Sequence, residues 1–294
     1  MAVSNTIALV FDFDDTLVPD STTMLLKKYG IDPKKFWQKD LKALVTNGYD
    51  STLGFLKLLL DNIGPDKPFG NLTNAELRAF GRTLDKEFHP GLPAFFDDLR
   101  DIVQKFKIIT IEFYVVSGGL QAIIEGSNIV QKYFAGVYGC LLAEAGEPPI
   151  INHVKRAINF TEKTRYLFEI SKGLTPEATL KNPYLVNEDV PRSKRRVPFK
   201  NMIYVGDGLT DIPCFSLLKA NRGTPFGVFD PTDETKAKRA LLKFLKPQRV
   251  INMNSPHYGP TDDLGSLLRA AVGSICSRII VEQRTAEYDD SDEE

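Results

Sequence analysis

Histidine and cysteine are scarce: the 294 residues hold three of each, and neither set is grouped. Cys140, Cys214 and Cys276 are far apart and odd in number, which argues against a disulfide framework and against a zinc site. They are expected to be small buried hydrophobes and not nucleophiles. His89, His153 and His257 are scattered and form no metal-binding pair, so no role is assigned to them. No apolar run approaches the roughly 20 residues that a membrane span needs. The N-terminus has no basic segment leading into an apolar one, so neither a signal peptide nor membrane association is expected. With the unpaired cysteines, this favours a reducing cytoplasm. A strong charge of one sign is also missing: the net charge is -1. The last eight residues, EYDDSDEE, hold six acids and no base, leaving +5 on the 286 residues before them. That mild excess comes without a basic stripe interleaved with aromatics, so no nucleic-acid partner is expected. There is no internal repeat, and nothing indicates an oligomeric state.

What is present is an ordinary globular composition, 43% hydrophobic and 26% charged, over a length suited to a core domain with an accessory one. Four short β-branched or aromatic runs read as buried parallel strands: TIALVFD (6–12), IEFYVVS (111–117), NMIYVGD (201–207) and TPFGVFD (224–230). Helical patterns at 91–106, 161–173, 210–223 and 233–245 alternate with them, the second opening on a Thr cap and closing at Gly173. Such alternation predicts an α/β fold with a doubly wound parallel sheet. Residues from about 19 to 89 break it, because they read as four helices with no strand. This segment is expected to be a small helical cap inserted after the first strand, with HPG (89–91) as the return hinge. The core would then comprise 1–18 and 90–250. Residues 251–286 would form a C-terminal extension packed on it, with an amphipathic helix from about 262 to 282, and 287–294 a disordered acidic tail. Residues 181–200, rich in charge and proline, read as a surface loop. Its KRR is expected to be a solvated face, with attraction of anions the lesser alternative.

The polar residues cluster where the predicted strands end. The first strand ends in Asp12, Asp14, Asp15 and Thr16, the second in Ser117, Gly118 and Gly119, and the third in Gly206, Asp207, Gly208, Thr210 and Asp211. A parallel sheet brings these ends to one edge. Like charges gathered there repel, so a cation or solvent must relieve them. Hard oxygen ligands in this number suit Mg²⁺, and glycine turns ahead of helix N-termini suit an anion.

The segments DFDDT, VVSGG, a lysine opening a helix in FTEKTRYL, and VGDGLTD occur in the order of the four motifs of the haloacid dehalogenase-like (HAD) hydrolase superfamily. The chain resembles in particular the phosphoserine phosphatase-like branch, whose helical cap follows the first motif. The match spans roughly 12 to 211, and the flanking strands extend it to about 250. The resemblance implies Asp12 as a nucleophile forming an aspartyl-phosphate, and Asp14 as general acid and then base. It implies a Mg²⁺ site of Asp12, the Asp14 backbone carbonyl and Asp207, with Asp211 supporting it from the first or second shell. Ser117 and the Gly118 N–H would hold phosphoryl oxygens, Lys163 would neutralise charge between nucleophile and phosphate, and Thr16 would brace the loop.

Plainer readings stand beside these. Lys155 and Lys172 are rivals to Lys163. Asp211 also fits a cap on the helix that follows it. Ser117 also fits a helix N-cap, and Asp15, where the family often has glycine, a turn-capping acid. Phe36, Trp37 and Phe55 fit a cap core better than a substrate platform. The acid at Asp14 is lacking in dehalogenases, phosphonate hydrolases and ion-pumping ATPases of the superfamily. It therefore points to phosphomonoester hydrolysis of a small phosphorylated metabolite, with a phosphomutase or a non-catalytic scaffold as alternatives. L-Phosphoserine itself is not expected, because Ser21 occupies the position of the glutamate that recognises its ammonium group; Asp20 is adjacent. Thr210 likewise replaces the asparagine often found in the last motif.

Overall fold

The computed structural model describes residues 4–234, 237–238, 241–245 and 248–291, with the backbone alone from 287 onward. Its centre is a seven-stranded sheet in the order β4-β3-β2-β1-β5-β6-β7. The strands are β1 Thr6–Phe11, β2 Thr110–Leu120, β3 Phe134–Ala145, β4 Ile150–Arg156, β5 Met202–Gly206, β6 Thr224–Val228 and β7 Met253–Asn254. All pairs are parallel except β3–β4. The fold class read from the alternation is therefore the one observed. Every residue of β1 is buried, as a strand covered by helices on both faces requires. Phe11 pairs with Val115 on one side and Val205 on the other. That register brings the residues following β1 and β5, and the last residues of β2, to the same edge. The second strand is longer than expected. It runs through Ser117, Gly118 and Gly119 to Leu120, because β3 resumes pairing with it at Cys140 beyond an irregularity.

Residues between β1 and the next core helix form α1 Ser21–Lys28, a π-helical turn Lys35–Leu41 leading into α2 Lys42–Thr46, α3 Ser51–Asp61 and α4 Asn74–Thr83. Local chemistry starts them: Asp20, Asp50 and Thr73 accept from backbone N–H groups at the starts of α1, α3 and α4, and Glu76 completes a capping box with Thr73. Phe36, Phe55, Leu56, Leu59 and Leu77 are among their buried residues. The core resumes with α5 Ala94–Gln104. The inserted helices are fastened to it where α4 meets α6, Gln121–Gly126. A Cβ on Gly81 would stand 1.9 Å from the Ile123 carbonyl oxygen, and one on Gly126 2.1 Å from that of Arg78. Only glycine lets these backbones approach so closely. Ile151 N–H adds a bond to the Leu72 carbonyl at 2.9 Å.

The helices α7 Asn128–Tyr133, α8 Glu162–Lys172, α9 Pro176–Lys181 and α10 Ile212–Ala220 complete the core layers. The helix expected at 233–245 falls partly outside the described residues. Residues 183–201 carry only short 3-10 turns, with Val197 and Phe199 buried.

A C-terminal helix runs from Asp263 to Ser291. It is longer than the 262–282 expected, and it corrects the expectation of a disordered tail as far as residue 291; residues 292–294 lie outside those described. No glycine or proline follows Gly273, so no backbone breaker stops the helix before the acidic residues. By length and composition its stretch Asp263–Ala286 could cross a membrane, contrary to the count of uninterrupted apolar runs. Leu264, Leu268, Val272, Cys276 and Ile279 are buried, and the helix packs on α5, so a core face accounts for much of that apolar content. All three cysteines are free and buried.

Candidate active site

The chain leaves β1 at Asp12 and turns at once. The Phe13 carbonyl accepts from Leu17 N–H at 2.8 Å, and Asp15 takes a left-handed backbone, φ +54°. Aspartate tolerates that conformation better than most residues, which accounts for an acid where glycine is common. Asp12 is buried. Its Oδ1 accepts from Phe13 N–H at 2.7 Å, and its Oδ2 accepts from Lys163 Nζ at 2.6 Å.

Lys163 lies in the first turn of α8 and is 1% exposed. It also donates to Asp211 Oδ1 at 2.7 Å. Burial opposes its charge, yet the carboxylates of Asp12 and Asp211 outweigh that and hold its ammonium above the usual lysine range. The two rival lysines are elsewhere: Lys155 is exposed, and Lys172 donates to the carbonyls of Val186 and Glu188. The Thr cap on α8 is not formed. Asn159 Oδ1 accepts from Glu162 N–H at 3.1 Å instead, while the Thr161 side chain makes no cap.

Asp211 does not cap α10 with its side chain. It is fully buried and turned inward, accepting from Lys163, from Tyr204 OH at 2.7 Å and from Gly208 N–H at 2.9 Å. Asp207 completes a group in which one carboxylate oxygen from each of Asp12, Asp207 and Asp211 lies within 4.8 Å of the others. Burial first, then the Asp211, Asp12 and Asp15 carboxylates, push Asp207 well above the ordinary range. Burial also raises Asp12, to about 6, although Lys163 opposes it. Three crowded carboxylates against one lysine can hold a divalent cation.

The Asp14 side chain stands outside that trio. Its Oδ1 accepts from Ser21 N–H at 2.7 Å, and a Cβ on Gly119 would come within 2.6 Å of its Oδ2. Burial, reinforced by the Asp20 carboxylate, pushes Asp14 up to about 8. Ser117 is buried in β2, where its Oγ accepts from Gly119 N–H at 3.0 Å, so it is not the N-cap of α6.

Asp12, Asp14, Ser117, Gly118, Lys163 and Asp207 all line one cavity of about 580 Å³. Thr16 does not line it. It is fully buried, and its carbonyl accepts from Tyr258 OH at 2.9 Å. Asp211 lies behind Lys163. The inserted helices supply the opposite wall through Trp37, Leu41 and Phe55, so two of the three aromatics expected in the cap core also face the cavity. Trp37 Nε1 donates to Thr23 Oγ1 at 2.8 Å. Asn159 and Phe160 were not foreseen as lining residues; the only local signal was their place just before the lysine-bearing helix. Asp20 reaches the cavity rim while capping α1 through Thr23.

No family model matches the chain. It is 32% identical over 237 residues to an uncharacterized protein of Borreliella burgdorferi, a match covering 73% of this chain and 79% of that protein. Among solved structures it is similar to a HAD family hydrolase from Salmonella enterica serovar Typhi. That likeness has a TM-score of 0.51 and 14% identity, and covers 87% of this chain and 68% of the other. The chain therefore belongs to one family with the Borreliella burgdorferi protein, and its fold is that of a HAD family hydrolase.

Proposed function

We propose that the chain is a Mg²⁺-dependent phosphomonoester hydrolase that acts on a small phosphorylated metabolite through an aspartyl-phosphate on Asp12. The observation that carries this reading is the buried Lys163, clamped between Asp12 and Asp211 in the wall of a cavity that also holds Asp14, Ser117 and Asp207. The HAD fold supports it. The hard carboxylate oxygens of the Asp12–Asp207–Asp211 group fit Mg²⁺, with Asp12 and Asp207 as the holders. Asp211 already accepts three hydrogen bonds and is better suited to fixing Lys163. When bound, Mg²⁺ would offset the repulsion between an anionic phosphate and this acidic site.

In the first half-reaction an Asp12 oxygen bonds to phosphorus as the phosphorus–alcohol bond breaks. Asp14, protonated because burial raises it, passes its proton to the departing oxygen. In the second half Asp14, now a carboxylate, takes a proton from water as the water oxygen bonds to phosphorus. The Asp12–phosphorus bond breaks and inorganic phosphate leaves. Ser117 and the Gly118 N–H would bind phosphoryl oxygens, and Lys163 would keep Asp12 oriented throughout. The apolar wall of Trp37, Leu41 and Phe55 would receive the alcohol portion. Phosphoserine is a poor candidate: Ser21 is buried and engaged with Asp14, and Asp20 is occupied in capping α1.

A phosphomonoester panel assayed with Mg²⁺ is the test. Turnover releasing free phosphate is expected, abolished by Asp12→Asn. Unchanged activity in that variant would overturn the nucleophile assignment, and transfer without free phosphate would favour a mutase.

A further inference from the structure

We propose that a second cavity, at the opposite edge of the sheet, binds a small soluble anion carrying two or more phosphate groups. This cavity, of about 610 Å³, is bordered by Ser4, which precedes β1, and Lys200, which precedes β5. Asp12 and Asp207 follow those same strands, so about 20 Å of strand separates the two sites. The volume is in the range of small-molecule sites.

Arg192, Arg195, Lys200 and Arg222 line the cavity, with Glu282 as the only acid among its described lining residues. Glu282 is already engaged: Lys200 Nζ lies 2.7 Å from both of its oxygens, and Arg278 donates at 3.3 Å. Among the described residues Arg192, Arg195 and Arg222 make no ion pair. Arg195 is held 5.7 Å from the Phe199 ring centroid, and its Nε is buried without a hydrogen-bond partner. That nitrogen is covered by protein, so an anion in the cavity would meet the outer guanidinium nitrogens of Arg195. Arg196, the next residue, turns the other way and pairs with Glu112 at the sheet. The segment thus separates its arginines, with two lining the cavity and one bracing the fold. Guanidinium groups bind phosphate oxygens through two parallel hydrogen bonds. Three of them around one space suit a ligand of several negative charges better than orthophosphate.

Titration calorimetry of the full chain in EDTA, with inorganic pyrophosphate as probe, is expected to show saturable binding, and orthophosphate to bind about tenfold or more weakly. Arg192 and Arg222 are exposed, so Arg192→Gln and Arg222→Gln should fold normally. Each is expected to weaken pyrophosphate binding about tenfold. Arg195→Met, which keeps an apolar stem over Phe199, should weaken it further. Absence of saturable binding, or equal affinity in wild type and all three variants, overturns the proposal. Capture by phosphoinositide vesicles without any response to soluble pyrophosphate also overturns the assignment to a soluble ligand.

Discussion

At the residue scale, neighbouring carboxylates of one pentapeptide have been given different environments. Asp12 is tied to a lysine, Asp14 to a backbone N–H in a pocket that favours its neutral form, and Asp15 to a left-handed turn. If Asp14 is the general acid, its value depends on how badly the leaving oxygen needs a proton. Asp14→Asn is expected to slow release of the alcohol from an alkyl phosphate, read as kcat/KM, by about 10²- to 10⁴-fold and release of p-nitrophenol from p-nitrophenyl phosphate far less. Equal losses for both substrates in kcat/KM, which reports only the half-reaction that releases the alcohol, would remove Asp14 from that role. Lys163 makes a structural prediction as well. Lys163→Met leaves Asp12 and Asp211 facing each other in a buried site without their cation. Urea denaturation of the metal-free protein should show a loss of about 3–5 kcal/mol. A loss below about 1 kcal/mol would mean that the carboxylates find relief elsewhere.

At the element scale, the inserted helices share a wall with the sheet edge that carries the acidic residues and are pinned to the core through α4 and α6. The contact depends on two glycines whose missing side chains allow backbone to touch backbone. Gly81→Ala or Gly126→Ala puts a methyl group onto a carbonyl that cannot rotate away. Each is expected to cost about 1–3 kcal/mol, read as a lower Tm. Turnover should fall with it, because Trp37 and Phe55 move with the inserted helices. A variant with unchanged Tm would show that α4 can shift freely on the core.

At the scale of the whole molecule, distant segments are closed onto the sheet by ion pairs. Arg196 in the long loop binds Glu112 of β2, Lys200 binds Glu282 of the C-terminal helix, and Arg269 of that helix binds Asp98 of α5. For Glu112 and Glu282 burial raises the carboxyl. Hydrogen bonds from Arg196 and Tyr114 in the first case, and from Lys200 and Arg278 in the second, outweigh it and hold both below the ordinary glutamate value. A depressed folded-state value means stability that is present above the unfolded value and lost as pH falls through the folded one. The Glu112→Gln/Glu282→Gln double variant should therefore melt below wild type at pH 7, the gap closing as pH drops below the carboxylate range. A gap independent of pH would assign these side chains a packing role only.

The fold was legible in the sequence because strands buried on both faces must be apolar throughout, and their alternation with helices leaves few topologies. The acids and the glycine turns could be placed at one sheet edge for the same reason, since chain direction alone fixes which end of each strand they occupy. What the sequence could not decide were contacts between residues far apart in the chain. Its place in a helix's first turn favours Lys163 over Lys155 and Lys172, but only the packing of α8 against the sheet buries it between Asp12 and Asp211. The same holds for Asp211, which could have capped its helix but is drawn inward by Tyr204 and Lys163. It holds also for Trp37 and Phe55, which read as cap core until the docking of α4 on α6 sets the inserted helices over the strand ends. Local pattern settles elements and their direction, whereas the burial of a charge depends on which distant surfaces close over it.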